Sequence, residues 1–355
     1  MGEILGIGGS HFPGLVMADH EIMVPFHQIL AAPNVDPRYR DRANWPAEMI
    51  AEMGQDEGLT ATRELRRRLF DDCRKLRRII DDFAPDFVVI FGDDQYENFR
   101  EDIIPPFCIF GLDDDFDEQP YAHDPRFARN AWGEPTDFTL RLHGHRAGAK
   151  YLATGLMQRG FPMSYAYKTL NQPHLAHAFT NTVLFLDCDR KGFPHRIVPF
   201  HVNCYGSQVI TAKGFAAHLF QTQKAEGLPD PPGPSPALCM ELGAKLAQVA
   251  SQSPYRIVLM ASAGWSHAFL SPTNGYIIPD HQADRMLLEA LKRGDYEAWR
   301  KRTPEENDRA GHQELLAWMV LVGAMAELGR KALVHDFHET YIFRSNNCFA
   351  SFPPG

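Results

Sequence analysis

Four segments of this chain carry residues whose types and spacing could do chemistry. Ser10-His11-Phe12-Pro13 follows a glycine pair. Gly92-Asp93-Asp94-Gln95-Tyr96-Glu97-Asn98-Phe99 follows the apolar run Phe87–Phe91, with Ile104-Pro105-Pro106-Phe107 downstream. Pro173-His174-Leu175-Ala176-His177 leads into an apolar segment. Ser262-Ala263-Gly264-Trp265-Ser266-His267 ends another apolar run, and Ile278-Pro279-Asp280-His281 lies beyond it. Imidazoles bind divalent transition metals and titrate near neutrality, and carboxylates add harder oxygen donors. Such a set suits metal-assisted or acid–base chemistry. Phe12, Tyr96, Phe99, Trp265 and Tyr276 would line a flat apolar pocket fit for an aromatic ring, or equally join the core.

Each of these residues also has a plainer use. Asp93 and Asp94 could cap a strand end, and Asp280 could N-cap the helix after it. His177 could be a first-turn helix residue, and His174 competes with it as a base. His143 and His145 would share one face if they lay on a strand; before a helix they read as a polar start. His281 is a further candidate ligand. His201 reads as a core or pocket residue, and His335 and His338 as structural or exposed. Asn203 ends a strand that faces the expected site.

These segments need strands to hold them. Glu3–Gly9 alternates and ends in glycines, which predicts a first strand with a tight exit. Phe87–Phe91 predicts a buried strand, with acids at its C-terminal end, the edge where open α/β sheets build sites. Phe107–Phe110, Met163–Tyr167, Arg196–Asn203 and Tyr255–Ala263 predict more strands, and Tyr341–Arg344 a last one. Leu65, Leu69, Cys73, Leu76, Ile80 and Phe83 recur at helical spacing, predicting an amphipathic helix over Thr60–Phe83 that Pro85 stops. Further helices are predicted over Gly144–Gly160, Pro236–Ser251, Gln282–Arg293, Tyr296–Arg302 and Gln313–Arg330. Met17–Gly58, with Pro25, Pro33, Pro37 and Pro46, reads as a long irregular loop, a lid or an oligomer arm. Asp113–Asp137 reads as another long loop, and Leu228–Pro236 as a surface crossover. The alternation predicts one α/β domain over residues 1–355, an α/β/α sandwich with a central mostly parallel or mixed sheet and a loop insertion at about 17–58.

The chain has 355 residues, 44% of them hydrophobic, enough for a large core. Its net charge of -9, with bases interspersed among acids, argues against nucleic acid and anionic membranes as partners. No apolar run approaches the ~20 residues that span a bilayer, and the start lacks a signal-peptide pattern. Six scattered Cys without CxxC spacing predict reduced core thiols and a cytoplasmic setting. Dinucleotide, phosphate-loop, nucleophile-elbow and HExxH motifs are absent from the sequence.

In its Ser-His-x-Pro opening, its strand–Gly-Asp-Asp-Gln segment with Pro-Pro-Phe downstream, and its Gly-x-Ser-His, the chain resembles the class III extradiol ring-cleavage dioxygenases. These include the protocatechuate 4,5-dioxygenase β subunit, the 3-carboxyethylcatechol dioxygenases and, nearest in wording, the 3-O-methylgallate dioxygenases. The resemblance implies Fe(II), held by two His and one Glu, with O2 and a small catechol- or gallate-like aromatic as substrates, and a homo-oligomer. Carried over residue by residue, His11 falls at the first His ligand and Asp280 at the Glu. His177 falls at the base and His267 at a second catalytic His. The second His ligand has no counterpart: Gln95 falls at its place, or Tyr96 in the register of the methylgallate branch. A Gln carbonyl is a weak neutral donor and a Tyr phenolate is costly to form near pH 7. The departure therefore implies a different metal, none, or ligands from elsewhere. The alternative expectation is a divergent member with an altered or missing metal site, doing His-based acid–base chemistry or serving as a non-catalytic binding subunit. Arg141, Arg146 and Lys168 are the candidate partners of a substrate carboxylate.

Overall fold

The structure, a computed structural model, describes residues 2–122, 125–206, 213, 216–221 and 230–355. Its centre is an eight-stranded mixed sheet in the order β6-β3-β7-β2-β8-β1-β10-β9. The strands are β1 (Glu3–Gly9), β2 (Phe87–Gly92), β3 (Phe107–Phe110), β6 (Ser164–Ala166), β7 (Ile197–Val202), β8 (Arg256–Ser262), β9 (Leu333–His338) and β10 (Asn347–Phe352). β4 (Asp115–Glu118) and β5 (Leu140–His143) form a separate antiparallel ribbon. Four central strands, β7, β2, β8 and β1, run parallel. β3 returns antiparallel to β7, and β10 antiparallel to β1. The parallel strands are largely apolar and buried because both faces are covered.

Two glycines show how the layers close. A Cβ on Gly8 would collide with the Trp318 ring, whereas one on Gly9 would press on Leu76. Successive strand residues point to opposite faces. Trp318, in the helix Leu315–Glu327, therefore covers one side of β1, and Leu76, in the helix Leu59–Phe83, covers the other. Leu315–Glu327 packs on Pro236–Ser251, and His177–Leu186 packs beside Leu59–Phe83. Leu59–Phe83 is amphipathic, as expected of a helix with one face in water. Leu315–Glu327 has no polar face and is buried over Leu315–Met325.

Residues 17–58 differ from the irregular loop expected. They hold the helices Val24–Ala31 and Ala47–Met53 and two short 3-10 turns. Pro25 and Pro37 lie in the first turns of their elements and Pro46 at a helix N-cap, positions where proline starts a helix instead of breaking one. Phe26, Ile29, Met49 and Met53 anchor the segment in the core. The expected last strand at Tyr341–Arg344 is a turn between β9 and β10; Arg344 there has φ +65, outside the extended range. The loop expected over Asp113–Asp137 contributes β4, and β5 follows it. The crossover Leu228–Pro236 lies outside the described residues at 228–229, and Pro236 begins its helix. All six Cys are free and buried. Among the described residues, no helix is long and apolar enough to cross a membrane.

Candidate metal centre and cavity

Three parallel strands deliver their exits to one place. His11 follows β1, Asp93 follows β2, and His267 follows β8. His177 opens the helix His177–Leu186, and Glu314 stands at the head of the buried helix Leu315–Glu327. All five side chains are buried.

The two strand-exit imidazoles are held alike. His11 Nδ1 donates to the Ser262 carbonyl at 2.9 Å, and His267 Nδ1 to the Trp265 carbonyl at 2.9 Å. A carbonyl can only accept, so each Nδ1 carries the proton and each Nε2 is free to offer a lone pair. His11 Nε2 lies 3.4 Å from Asp93 Oδ1 and 3.4 Å from Glu314 Oε2. His267 Nε2 lies 3.3 Å from the same Glu314 oxygen. Glu314 Oε1 accepts from Tyr205 Oη at 2.8 Å and from Gln95 Nε2 at 3.1 Å.

Among the described residues, both Asp93 oxygens and Glu314 Oε2 lack a hydrogen-bond donor. Burying carboxylate oxygens with no compensating partner is costly unless a cation joins them. Burial, then the neighbouring Glu314, pushes the Asp93 carboxyl up to about 6. Burial also opposes the charged form of Glu314, but His267 and His11 outweigh it and hold Glu314 well below the carboxylate range. Burial lowers His11, yet the adjacent Glu314 and the charge of Asp93 leave it raised. The donor set fits a divalent cation. Two bonds of about 2.1 Å meeting at about 90–110° leave their donor atoms about 3.0–3.4 Å apart, which matches the separations here. One or two imidazole nitrogens with two carboxylates suit a borderline to hard metal such as ferrous iron.

His177 stands beside this cluster, its ring edge-on to His11 at 5.1 Å. Asp93, His11 and His177 each bring one donor atom within 4.8 Å of the others. Glu97 grips His177 twice: Oε1 accepts its backbone N–H and Oε2 its Nδ1, both at 2.9 Å. His177 Nε2 has no partner among the described residues. Burial lowers His177, but the charge of Glu97 overrides it and drives the imidazole up to about 10. Glu97 in turn sits on a turn capped by Asp94, whose carboxylate accepts from the N–H groups of Glu97, Asn98 and Phe99.

Of the residues expected from sequence, the structure brings His11, His177 and His267 together. Gln95 borders the cavity and presents its amide N–H to Glu314 and Tyr205, so it supports a carboxylate. Tyr96 is outside the cluster. Its backbone has φ +61 and its hydroxyl meets the exposed Glu101. Asp280 is also outside: it caps the helix His281–Arg293 through Ala283 N–H at 3.0 Å, and its own N–H is held by Ser266 Oγ. Its short side chain is committed there, and Glu314 is the acid that reaches the imidazoles. His143 pairs with Asp115, and His145 caps the helix Arg146–Gln158 through Gly148 N–H. His281 meets Asn346, and Asn203 accepts from Gly206 N–H. His201 packs on Phe99, and burial lowers it to about 3. His335 and His338 bond Ser351 and Asp72.

Asp93 as a donor, Glu97 and Glu314 are the residues that sequence reasoning missed. Glu314 did leave a signal: a carboxylate placed directly before a helix with no polar face.

The cluster opens into a cavity of about 240 Å³. Phe12, Met17, Phe127, Phe269 and Phe343 give it apolar walls, and His177, His267 and Glu314 also line it.

Residues 230–350, which include His267 and Glu314, match the family described as the catalytic LigB subunit of aromatic ring-opening dioxygenase. The chain is 25% identical over 197 residues to a 2,3-dihydroxyphenylpropionate/2,3-dihydroxicinnamic acid 1,2-dioxygenase of Comamonas testosteroni, covering 56% of this chain and 48% of that protein. It is 23% identical over 228 residues to a protein of the same description from Photorhabdus laumondii, covering 64% and 56%. The chain thus spans about half the length of the curated relatives it matches. A solved structure of an uncharacterized protein from Escherichia coli K12 is similar at 12% identity and a TM-score of 0.43, over 80% of this chain and 92% of that one.

Proposed function

We propose that this chain, a member of the LigB superfamily, is a metal-dependent ring-cleaving dioxygenase acting with O2 on a catechol- or gallate-like aromatic. The observation that carries this is the set of buried carboxylate oxygens without a hydrogen-bond donor among the described residues, both of Asp93 and Oε2 of Glu314, beside the His11 nitrogen, with Glu314 also lining an aromatic-walled cavity. His11, Asp93 and Glu314 would hold the metal, with His267 adjacent. Fe(II) is the proposed ion. Bound there, it supplies the electron exchange between an aromatic diol and O2 that closed-shell organics undergo slowly alone.

The chain's own residues do the rest. The phenylalanines hold the ring and keep water from it. His177 takes the substrate hydroxyl proton at Nε2, because Glu97 engages Nδ1 and fixes the ring. Glu97 is the larger cause that raises His177; Asp93 and Glu314 add to it, and their charges would be offset if they held a cation, which would bring His177 toward a neutral base. His267, anchored through Nδ1, returns a proton from Nε2 later in the reaction. The site draws on residues from both ends of the sequence, so we take residues 1–355 as one catalytic domain. Six buried free thiols accord with a reducing, cytoplasmic setting. Assembly into a homo-oligomer belongs to the same proposal.

Anaerobic iron loading followed by oxygen uptake with a panel of catechols tests this reading. Uptake with a yellow ring-opened product is expected. No uptake by fully loaded protein rejects it.

A further inference from the structure

The two strand-exit imidazoles are backed by different groups. Each hands its Nδ1 proton to a main-chain carbonyl, His11 to Ser262 and His267 to Trp265. Each of those carbonyls shares its peptide with the N–H of the next residue. Behind His11, Ala263 N–H donates to the Gly9 carbonyl at 3.1 Å, a neutral acceptor. Behind His267, Ser266 N–H donates to the Asp284 carboxylate, at 3.2 Å from Oδ1 and 3.3 Å from Oδ2. Two hydrogen bonds in series therefore link an acid, through one peptide, to the His267 ring.

Asp284 lies in the helix His281–Arg293, and two further donors fix it there. His312 Nε2 stands 2.6 Å from Oδ1, and Asn346 Nδ2 donates to Oδ2 at 2.6 Å. Arg302 Nη2 meets His312 Nδ1 at 3.2 Å. A guanidinium can only donate, so His312 carries its proton on Nε2 and gives it to Asp284. Asp284, His312, Asn346 and Ser266 are all fully buried. His312 stands two residues before Glu314. The main chain beside it also meets the His267 segment: His267 N–H donates to the Gly311 carbonyl at 2.8 Å, and Ser266 Oγ to the Ala310 carbonyl at 2.5 Å. The segments that carry His267 and Glu314 are thus bound to each other and to one acid. An ionised acceptor makes a hydrogen bond about twice as strong as a neutral one does, and bonds in series polarise one another. The Trp265 carbonyl, backed by Asp284, is therefore a stronger acceptor than the Ser262 carbonyl.

We propose that Asp284 is a positioning residue for His267: through the Trp265–Ser266 peptide it locks that ring with its proton on Nδ1 and its Nε2 toward Glu314, while His312 holds Asp284 in place. This rests on the ring-cleavage reading for what His267 does, though not for the lock itself.

Nitrogen-15 NMR of the metal-free full chain, labelled at histidine, reads the tautomer of each ring and the exchange of its Nδ1 proton with water. His11 is the internal control, because a neutral carbonyl backs its peptide. Asp284→Asn is expected to speed Nδ1 exchange at His267 about tenfold and to populate the Nε2-protonated form there, while His11 changes by less than about twofold. His312→Leu fills the space without a donor and is expected to speed His267 about threefold. His312→Gln keeps an amide N–H within reach of Asp284 and is expected to bring His267 back to within about twofold of wild type. If Asp284→Asn does not fold, the two His312 variants decide. Equal acceleration at both rings would be general loosening of the fold and overturns the lock, as does an unchanged His267 in a folded Asp284→Asn chain. Selective acceleration at His267 in a chain whose iron-loaded wild type consumes no oxygen supports the lock and overturns ring cleavage instead.

Discussion

His11 Nε2 and Glu314 Oε2 stand 3.4 Å apart, although one follows the first strand and the other precedes a helix near the end of the sequence. On the proposed reading this pairing makes Glu314, and not Asp280, the acid of the centre. Glu314→Gln is expected to weaken divalent-metal binding by more than the ~10–100-fold typical of losing an outer partner. Asp280→Ala should leave affinity intact and cost about 1 kcal/mol of stability through its lost helix cap. Tyr96→His should likewise leave affinity intact. Chelator-competition titrations and denaturant melts separate these outcomes, and metal loss in Asp280→Ala with retention in Glu314→Gln would reverse the assignment.

Metal should stabilise the fold strongly. A cation present at about 100 times its dissociation constant adds about 2.7 kcal/mol. Asp93→Asn removes the buried carboxylate whose two oxygens both lack a donor among the described residues. It should make the metal-free chain more stable than wild type and abolish most of the metal-induced rise in melting temperature. A lower metal-free melting temperature in this variant, with the metal response intact, would remove Asp93 from the centre.

The same carboxylate predicts a pH dependence. Asp93 has a folded pKa raised to about 6 from 3.8. Between those values the folded chain binds the extra proton, so this group favours folding as pH falls from about 6 to 4 and opposes it above. Comparing metal-free wild type with Asp93→Asn across that window isolates it: the variant's advantage should shrink toward pH 4. Metal binding should move the opposite way and weaken below about pH 6, where protons compete for Asp93 and for the raised His11. Affinity that is flat from pH 7 to 5 would contradict this.

Glu97 is expected to act through His177. Glu97→Gln keeps a side chain of similar shape but removes the charge that raises the imidazole. The kcat should fall about 10–100-fold with KM little changed, and the acidic limb of the pH–rate profile should move to lower pH. A fall in activity without that displacement would mark Glu97 as merely structural.

Much of this architecture was legible in sequence because local pattern reports local structure. The apolar runs of β2 and β8 and the heptad-like spacing from Leu65 to Phe83 needed no distant information. His11 and His267 could be picked out because each sits at a strand exit. Asp280 shows where local reading stops. Three residues before Ala283, at the head of a helix, a carboxylate looks identical whether it caps or coordinates. Glu314 posed the converse problem, since only the folded chain reveals that its helix points at β1 and β8. The prolines of residues 17–58 were ambiguous for a similar reason: proline begins helices as readily as it ends them, and packing of Phe26 and Met49 decides which.

The carbonyls of Ser262 and Trp265, which orient both imidazoles, come from one short stretch of main chain at and just beyond the end of β8. No amino-acid replacement deletes a peptide oxygen. Mutation can therefore exchange neighbouring acids, amides and phenols around this centre while the outward-facing nitrogens of His11 and His267 keep their polarity, so altered metal or substrate preferences can evolve on an unchanged pair of anchors.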